Sequence, residues 1–158
     1  MNIRRAKEKD LYKVNAIEQS SFTVEEAGDI DKFKYRLANF PMWFIVAEIE
    51  GEVAGAVIGR PMSQRLITDG YYENEDAPEG DALAIINLAT DGMYRRKGVG
   101  EAMMKYILKA AKESGFASSS LCCKEHLIDY YGKFGYQLIG PSKSEHGGAK
   151  WYDMEIVF

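Results

Sequence analysis

The sequence predicts a mixed α/β fold, a sheet with helices packed on it. Three observations carry this. Apolar runs of strand length alternate with stretches whose apolar residues recur at helical spacing. One such run, Leu83 to Thr90, leads through a turn into an amphipathic helix that opens at paired glycines. No internal repeat, low-complexity tract or Pro/Gly/Ser linker divides the chain, so residues 1–158 read as one domain.

Taken in order, Asn2 to Arg5 is a short strand. Glu8 to Phe22 places Leu11, Val14, Ile17 and Phe22 at roughly helical spacing. A second helix runs from near Asp31 to Phe40, with Phe33, Leu37 and Phe40 on one face and Pro41 as its stop. Trp43 to Ile49 and Val53 to Gly59 read as strands. Glu50-Gly51-Glu52 between them forms a hairpin turn, with Gly51 free to take positive φ. Pro61 to Asp81 reads as polar and irregular. Its part from Asp69 to Asp81 holds six acids and no base. After the strand Leu83 to Thr90, the helix Gly98 to Lys112 sets Val99, Met103, Tyr106, Ile107 and Ala110 on one side. Ser118 to Cys123 is a strand and His126 to Phe134 a short helix closed by Gly135. Tyr136 to Ile139 and Trp151 to Val157 end the chain as strands.

The bulk chemistry narrows the function. With 46% apolar and 28% charged residues, the 158-residue chain can bury one sizeable core and keep a charged surface. A net charge of -4 argues against general nucleic-acid binding, which needs cations to displace phosphate counterions. No apolar run is long enough to span a membrane, and the opening Met1-Asn2-Ile3-Arg4-Arg5 lacks the apolar stretch of a secretory signal. A cytoplasmic location is the expectation. Cys122 and Cys123 are neighbours, so they make neither a disulfide framework nor a metal-ligand spacing. A zinc site built from them and His126 is awkward, because adjacent strand residues point to opposite faces. No metal is expected.

The central signal is the stretch Leu88-Ala89-Thr90-Asp91-Gly92-Met93-Tyr94-Arg95-Arg96-Lys97-Gly98-Val99-Gly100. The first N–H groups of a helix have no internal partners and sit at the positive end of its dipole. Paired glycines let the backbone close around an anion, so a diphosphate can bind there. Arg95, Arg96 and Lys97 add positive charge at the same point of an acidic protein. Neither the nucleotide P-loop G-x-x-x-x-G-K-[ST] nor the dinucleotide fingerprint G-x-G-x-x-G is present. A solvated basic turn capped by glycines stands as the other reading of these residues.

Arg95-x-x-Gly98-x-Gly100 between strand and helix resembles the coenzyme A turn of the GCN5-related N-acetyltransferases. Leu127-Ile128-Asp129-Tyr130-Tyr131-Gly132-Lys133-Phe134-Gly135-Tyr136 resembles the "FY-x-x-F-G-F" helix and strand of that family, and the element order resembles its fold. The resemblance covers nearly the whole chain. It implies a mostly antiparallel twisted central sheet with splayed strands and flanking helices. It also implies acetyl-coenzyme A as co-substrate, with Leu88, Ala89 and Thr90 offering main-chain groups to the pantetheine arm. An N–H near Leu88 or Ala89 would polarise the thioester carbonyl. Arg96, Lys97, Gly98, Val99, Gly100 and Glu101 would surround the pyrophosphate, beside Arg95. Tyr131 matches the general acid of the family, which protonates the departing sulfur; its phenol has an ordinary pKa of about 10. The alternative for Tyr131, or for its neighbour Tyr130, is an aromatic packed on a helix face.

Ser21-Phe22-Thr23-Val24-Glu25-Glu26-Ala27 and Phe33-x-x-Arg36-Leu37 resemble the acceptor-side helices of the arylalkylamine (serotonin) N-acetyltransferase branch. Phe22, Glu25 and Glu26 are the substrate-binding residues this implies. Animal enzymes of that branch carry two histidines on the strand before the turn, at positions aligned with Ala84 and Ile86. The imidazole route for the amine proton is therefore missing, which leaves a water chain or a carboxylate, with Asp81, Glu25 and Glu26 as candidates. Each of these acids also reads as a solvated surface group, and Met42, Trp43 and Phe44 read as core. The partners expected are a small-molecule amine acceptor, aromatic or cationic, and a second copy of the chain in a homodimer, with no nucleic acid and no membrane. A protein N-terminal or lysine acetyltransferase and a coenzyme A-binding module without turnover are the alternatives.

Overall fold

The computed structural model describes residues 1–24, 26–27, 29–72 and 78–158. Within them, seven strands follow the order β1-β2-β3-β4-β5-β7-β6. They are β1 (Asn2–Arg5), β2 (Phe44–Ile49), β3 (Glu52–Met62), β4 (Ala82–Thr90), β5 (Ser118–Cys123), β6 (Gln137–Pro141) and β7 (Tyr152–Val157). The helices are α1 (Leu11–Ser21), α2 (Ile30–Asn39), the short α3 (Asp69–Tyr72), α4 (Val99–Glu113) and α5 (Ile128–Gly132). By its internal contacts the chain divides into two units, residues 1–59 with 87–107, and residues 60–86 with 108–158.

In the first unit β2 pairs antiparallel with both β1 and β3. Glu50 and Gly51 both take left-handed φ, 50° and 81°, and Ile49 faces Glu52. That is the two-residue turn whose twist matches its flanking strands. The core holds Phe33, Phe44, Val46, Val57, Met103 and Ile107, all fully buried. Trp43 and Phe44 lie in it as expected, while Met42 is exposed. On α4 the buried stripe runs through Val99, Met103, Ile107 and Ala111 with Met104 beside it. Tyr106 is 42% exposed, a correction to the sequence reading: residues four apart make the stripe, and position 106 falls off its edge.

Gly55 of β3 lets β4 and α4 pack close against it. A Cβ there would lie 2.8 Å from the Ala89 carbonyl oxygen, 2.9 Å from Met103 Cε and 3.3 Å from Val99 Cγ1. The methionine can move, but the backbone carbonyl can do so only by shifting β4. Gly55→Ala should therefore destabilise by about 1–3 kcal/mol, the usual cost of overpacking. That outweighs the roughly 0.4–1 kcal/mol gained by restricting the unfolded chain. Chemical denaturation checks it; an unchanged midpoint would show that β4 yields freely.

In the second unit β4 pairs in parallel with β5 over Ala82–Ile85 and Ser118–Leu121. A parallel pair needs a crossover, and α4 lies in the intervening chain. The last strand, β7, pairs antiparallel with both β5 and β6, and so lies between them. The sequence predicts an end to β3 at Gly59 and an irregular segment from Pro61 onward. Instead β3 continues to Met62, with Arg60 fully buried: its Nη1 donates to the Tyr71 carbonyl at 3.2 Å, and its guanidinium lies 4.9 Å from the Tyr71 ring. Ile67, Tyr71 and Tyr72 are buried as well, so this segment contributes core.

Candidate active site

The turn after β4 lies wholly in the first unit. Asp91 organises its start. Its N–H donates to the Ala54 carbonyl at 2.8 Å, its Oδ1 accepts from the Met93 N–H at 3.0 Å, and its Oδ2 pairs with Lys13 Nζ at 2.8 Å. The Lys13 ammonium, then the Met93 N–H, hold the Asp91 carboxyl below its ordinary pKa. A tight turn over Gly92–Tyr94 comes next. Arg96 and Gly98 both take left-handed φ, 62° and 78°, and α4 begins at Val99. Its first bond runs from the Ala102 N–H to the Gly98 carbonyl, at 3.0 Å. The N–H groups of Val99 and Gly100 precede that bond, in the first turn where an anion binds.

The side chains suit the same ligand. Arg95, Arg96 and Lys97 are exposed at this helix start, where their charge adds to the dipole. Arg95 Nη2 donates to Ser21 Oγ at 3.3 Å, and Lys97 Nζ lies 5.7 Å from the Tyr94 ring centre. Val99 is buried and anchors the helix, while Glu101 pairs with Lys105 on the surface at 2.8 Å. Exposed cations, the N–H groups at the helix start and two left-handed residues together fit a diphosphate.

Leu88, Ala89 and Thr90 continue β4 beyond its ladder with β5. Just before them, Asn87 Nδ2 donates to Glu18 Oε1 at 2.7 Å, with both side chains nearly inaccessible. Sequence reasoning missed this pair. A signal was present: Glu18 falls four residues after Val14 and seven after Leu11, on the buried stripe of α1. Ala84 and Ile86, the positions aligned with the missing histidines, are buried.

On the acceptor side, Phe22 is half-buried just past α1. Glu26 is buried, contrary to the solvated reading of this acid, and its Oε1 accepts from Thr23 Oγ1 at 2.8 Å. Glu25 lies outside the described residues, as do residues 73–77 of the acid-rich run. Arg36 is buried on α2, with its guanidinium 5.5 Å from the Phe33 ring centre.

Tyr131 belongs to the second unit, on α5. Its ring meets Tyr130 edge-on at 5.1 Å and Tyr136 at 6.2 Å. Burial, then the neighbouring Tyr130, Cys123 and Tyr136, pushes its phenol above the ordinary value, so it stays protonated at neutral pH. Tyr130 packs instead on Phe134, at 5.4 Å. Tyr136 shares a 2.8 Å hydrogen bond with Ser119 Oγ. Burial pushes the Cys122 thiol up to about 12 and Cys123 up to about 11, so neither is a thiolate nucleophile at neutral pH. Their sulfurs point to different partners, Cys122 to Asp153 Oδ1 at 3.2 Å and Cys123 to Met154 Sδ at 3.6 Å.

Residues 9–136 match the model of the acetyltransferase (GNAT) family. The chain is 27% identical over 108 residues to N-acetyltransferase family 8 member 3 of Mus musculus; the match covers 68% of this chain and 42% of the mouse protein. It is 22% identical over 151 residues to serotonin N-acetyltransferase of Mesocricetus auratus, covering 92% of this chain and 72% of that one. The fold is similar to that of Ard1 from Thermoplasma volcanium, with a TM-score of 0.79, 22% identity, and 99% and 96% of the two chains covered.

Proposed function

This chain belongs to the acetyltransferase (GNAT) family, and we propose that it transfers an acetyl group from acetyl-coenzyme A to a small primary amine. The observation that carries the reading is the turn. Arg95, Arg96 and Lys97 stand exposed at the N-terminus of α4, in the turn that follows β4, beside the first-turn N–H groups of Val99 and Gly100. A purely solvated basic turn has no need of left-handed backbone at both 96 and 98.

Acetyl-coenzyme A supplies an acyl group already activated as a thioester. In this reading the turn binds its diphosphate, and main-chain groups of Leu88–Thr90 hold its arm. An N–H at Leu88 or Ala89 meets the carbonyl oxygen as negative charge develops there. The neutral amine attacks the carbonyl carbon, a C–N bond forms and the C–S bond breaks. Tyr131 gives its proton to the sulfur. The amine proton leaves through water or a carboxylate, since no histidine stands at 84 or 86.

A cationic or aromatic amine is the acceptor class we favour. The acids between Asp69 and Asp81, and the Glu25-Glu26 pair, support it. One of those acids has a structural role: Asp69 accepts a very short hydrogen bond from Ser144 Oγ and another from the Glu145 N–H at 3.1 Å. The test is coenzyme A release across a panel of amines. Aromatic ethylamines or polyamines should turn over faster than alcohols, neutral amides or peptide N-termini. Turnover confined to peptide N-termini would replace the small amine with a protein acceptor. Binding of acetyl-coenzyme A without release on any amine would leave a coenzyme A-binding module.

A further inference from the structure

Leu11, Val14 and Ile17 of α1 are all at most 4% exposed, and Glu18 lies among them at 4%. A carboxylate taken out of water loses several kcal/mol of solvation unless it is bonded. Here one bond comes from Asn87, itself 8% exposed, at 2.7 Å. Two more side chains of α1 reach the same stretch of chain. Lys13 holds Asp91 at 2.8 Å, and Ser21 receives Arg95 at 3.3 Å. One helix thus ties positions 87, 91 and 95, and the segment Leu88–Thr90 lies between the first two ties.

We propose that Glu18 and Asn87 are positioning residues whose hydrogen bond sets where the main chain of Leu88–Thr90 stands for the acyl donor. The inference rests on the reading that this segment receives the thioester arm. It assigns Glu18 a structural acceptor oxygen and no proton transfer. The ladder to β5 ends at Ile85, so beyond it this stretch is held by its other sheet neighbour, β3, and by the buried bond to α1 at its start. Because the bond needs an acceptor oxygen and not a charge, a glutamine can supply it.

The double variant Glu18→Ala/Asn87→Ala removes both partners of this bond together, so neither is left buried without the other, and it should fold. Amide exchange is followed by NMR with and without acetyl-coenzyme A. In the wild type the ligand should slow exchange at 88–90 and at 98–101. In the double variant it should slow 98–101 alone. The turnover number should fall about tenfold to a hundredfold, as expected for a reacting group misplaced by about an ångström. Glu18→Gln should behave as wild type in both readouts, with an unchanged pH profile. Equal protection of 88–90 in the double variant overturns the positioning role. So does a Glu18→Gln enzyme as impaired as the double variant, which would make the charge the active feature. Wild-type protection at 98–101 without any at 88–90 overturns it while sparing the cofactor turn. No protection at 98–101 removes the cofactor reading and this inference together.

Discussion

Tyr131→Phe is expected to slow acetyl transfer by about 10²- to 10⁴-fold, the range general acids contribute. The substitution removes one hydroxyl and keeps the ring, so the edge contacts with Tyr130 and Tyr136 survive. Affinity for acetyl-coenzyme A should change little, because the lost group acts chiefly as charge builds on the sulfur. Burial favours the neutral phenol, which suits an acid that must hold its proton until the thiolate forms. Tyr136 is the natural control. Its hydroxyl is engaged with Ser119, so Tyr136→Phe should affect stability more than chemistry. Single-turnover transfer at saturating cofactor decides between acid and packing residue. A Tyr131→Phe rate close to wild type, well short of that general-acid range, would leave the ring only a packing role.

Most of the strands and helices were legible because their signals are local. The apolar runs on either side of the turn residues Glu50-Gly51 locate the β2–β3 hairpin, and the apolar run before Asp91 locates β4. What escaped depends on distant partners. Nothing in the run Trp151 to Val157 says that it lies between β5 and β6, since that is decided by pairing across the chain. The strand reading stops at Gly59, short of Arg60, yet Tyr71, eleven residues after Arg60, receives that cation in the core. The site divides in the same way. The turn at 95–101 is written in adjacent glycines and basic residues, whereas Glu18 is one acid on an apolar stripe and takes its meaning from Asn87. A carboxylate at a buried helical position is the sequence signal for such a pair.

Gly98→Val tests the turn itself. Gly98 holds φ at 78°, where a side chain with a Cβ costs roughly 1–2 kcal/mol. A β-branched residue is a genuine outlier there. Around Gly98 an added Cβ would find nothing within 4 Å, and Arg96, Lys97 and Gly98 are all exposed. Packing therefore does not hold a valine in the left-handed region, and in the free protein the turn relaxes. The ligand must then restore the bent backbone that presents the N–H groups of Val99 and Gly100, and the strain falls on binding. At 1.4 kcal/mol per tenfold, acetyl-coenzyme A should bind about 5- to 30-fold more weakly. The folded state should be nearly as stable as before. Gly98→Ala, lacking the branch, should fall between glycine and valine. Gly100→Val should also weaken binding, by placing bulk where the backbone approaches the diphosphate. Titration calorimetry reads all three. A folded Gly98→Val protein that keeps the wild-type dissociation constant would show that the diphosphate does not use this turn.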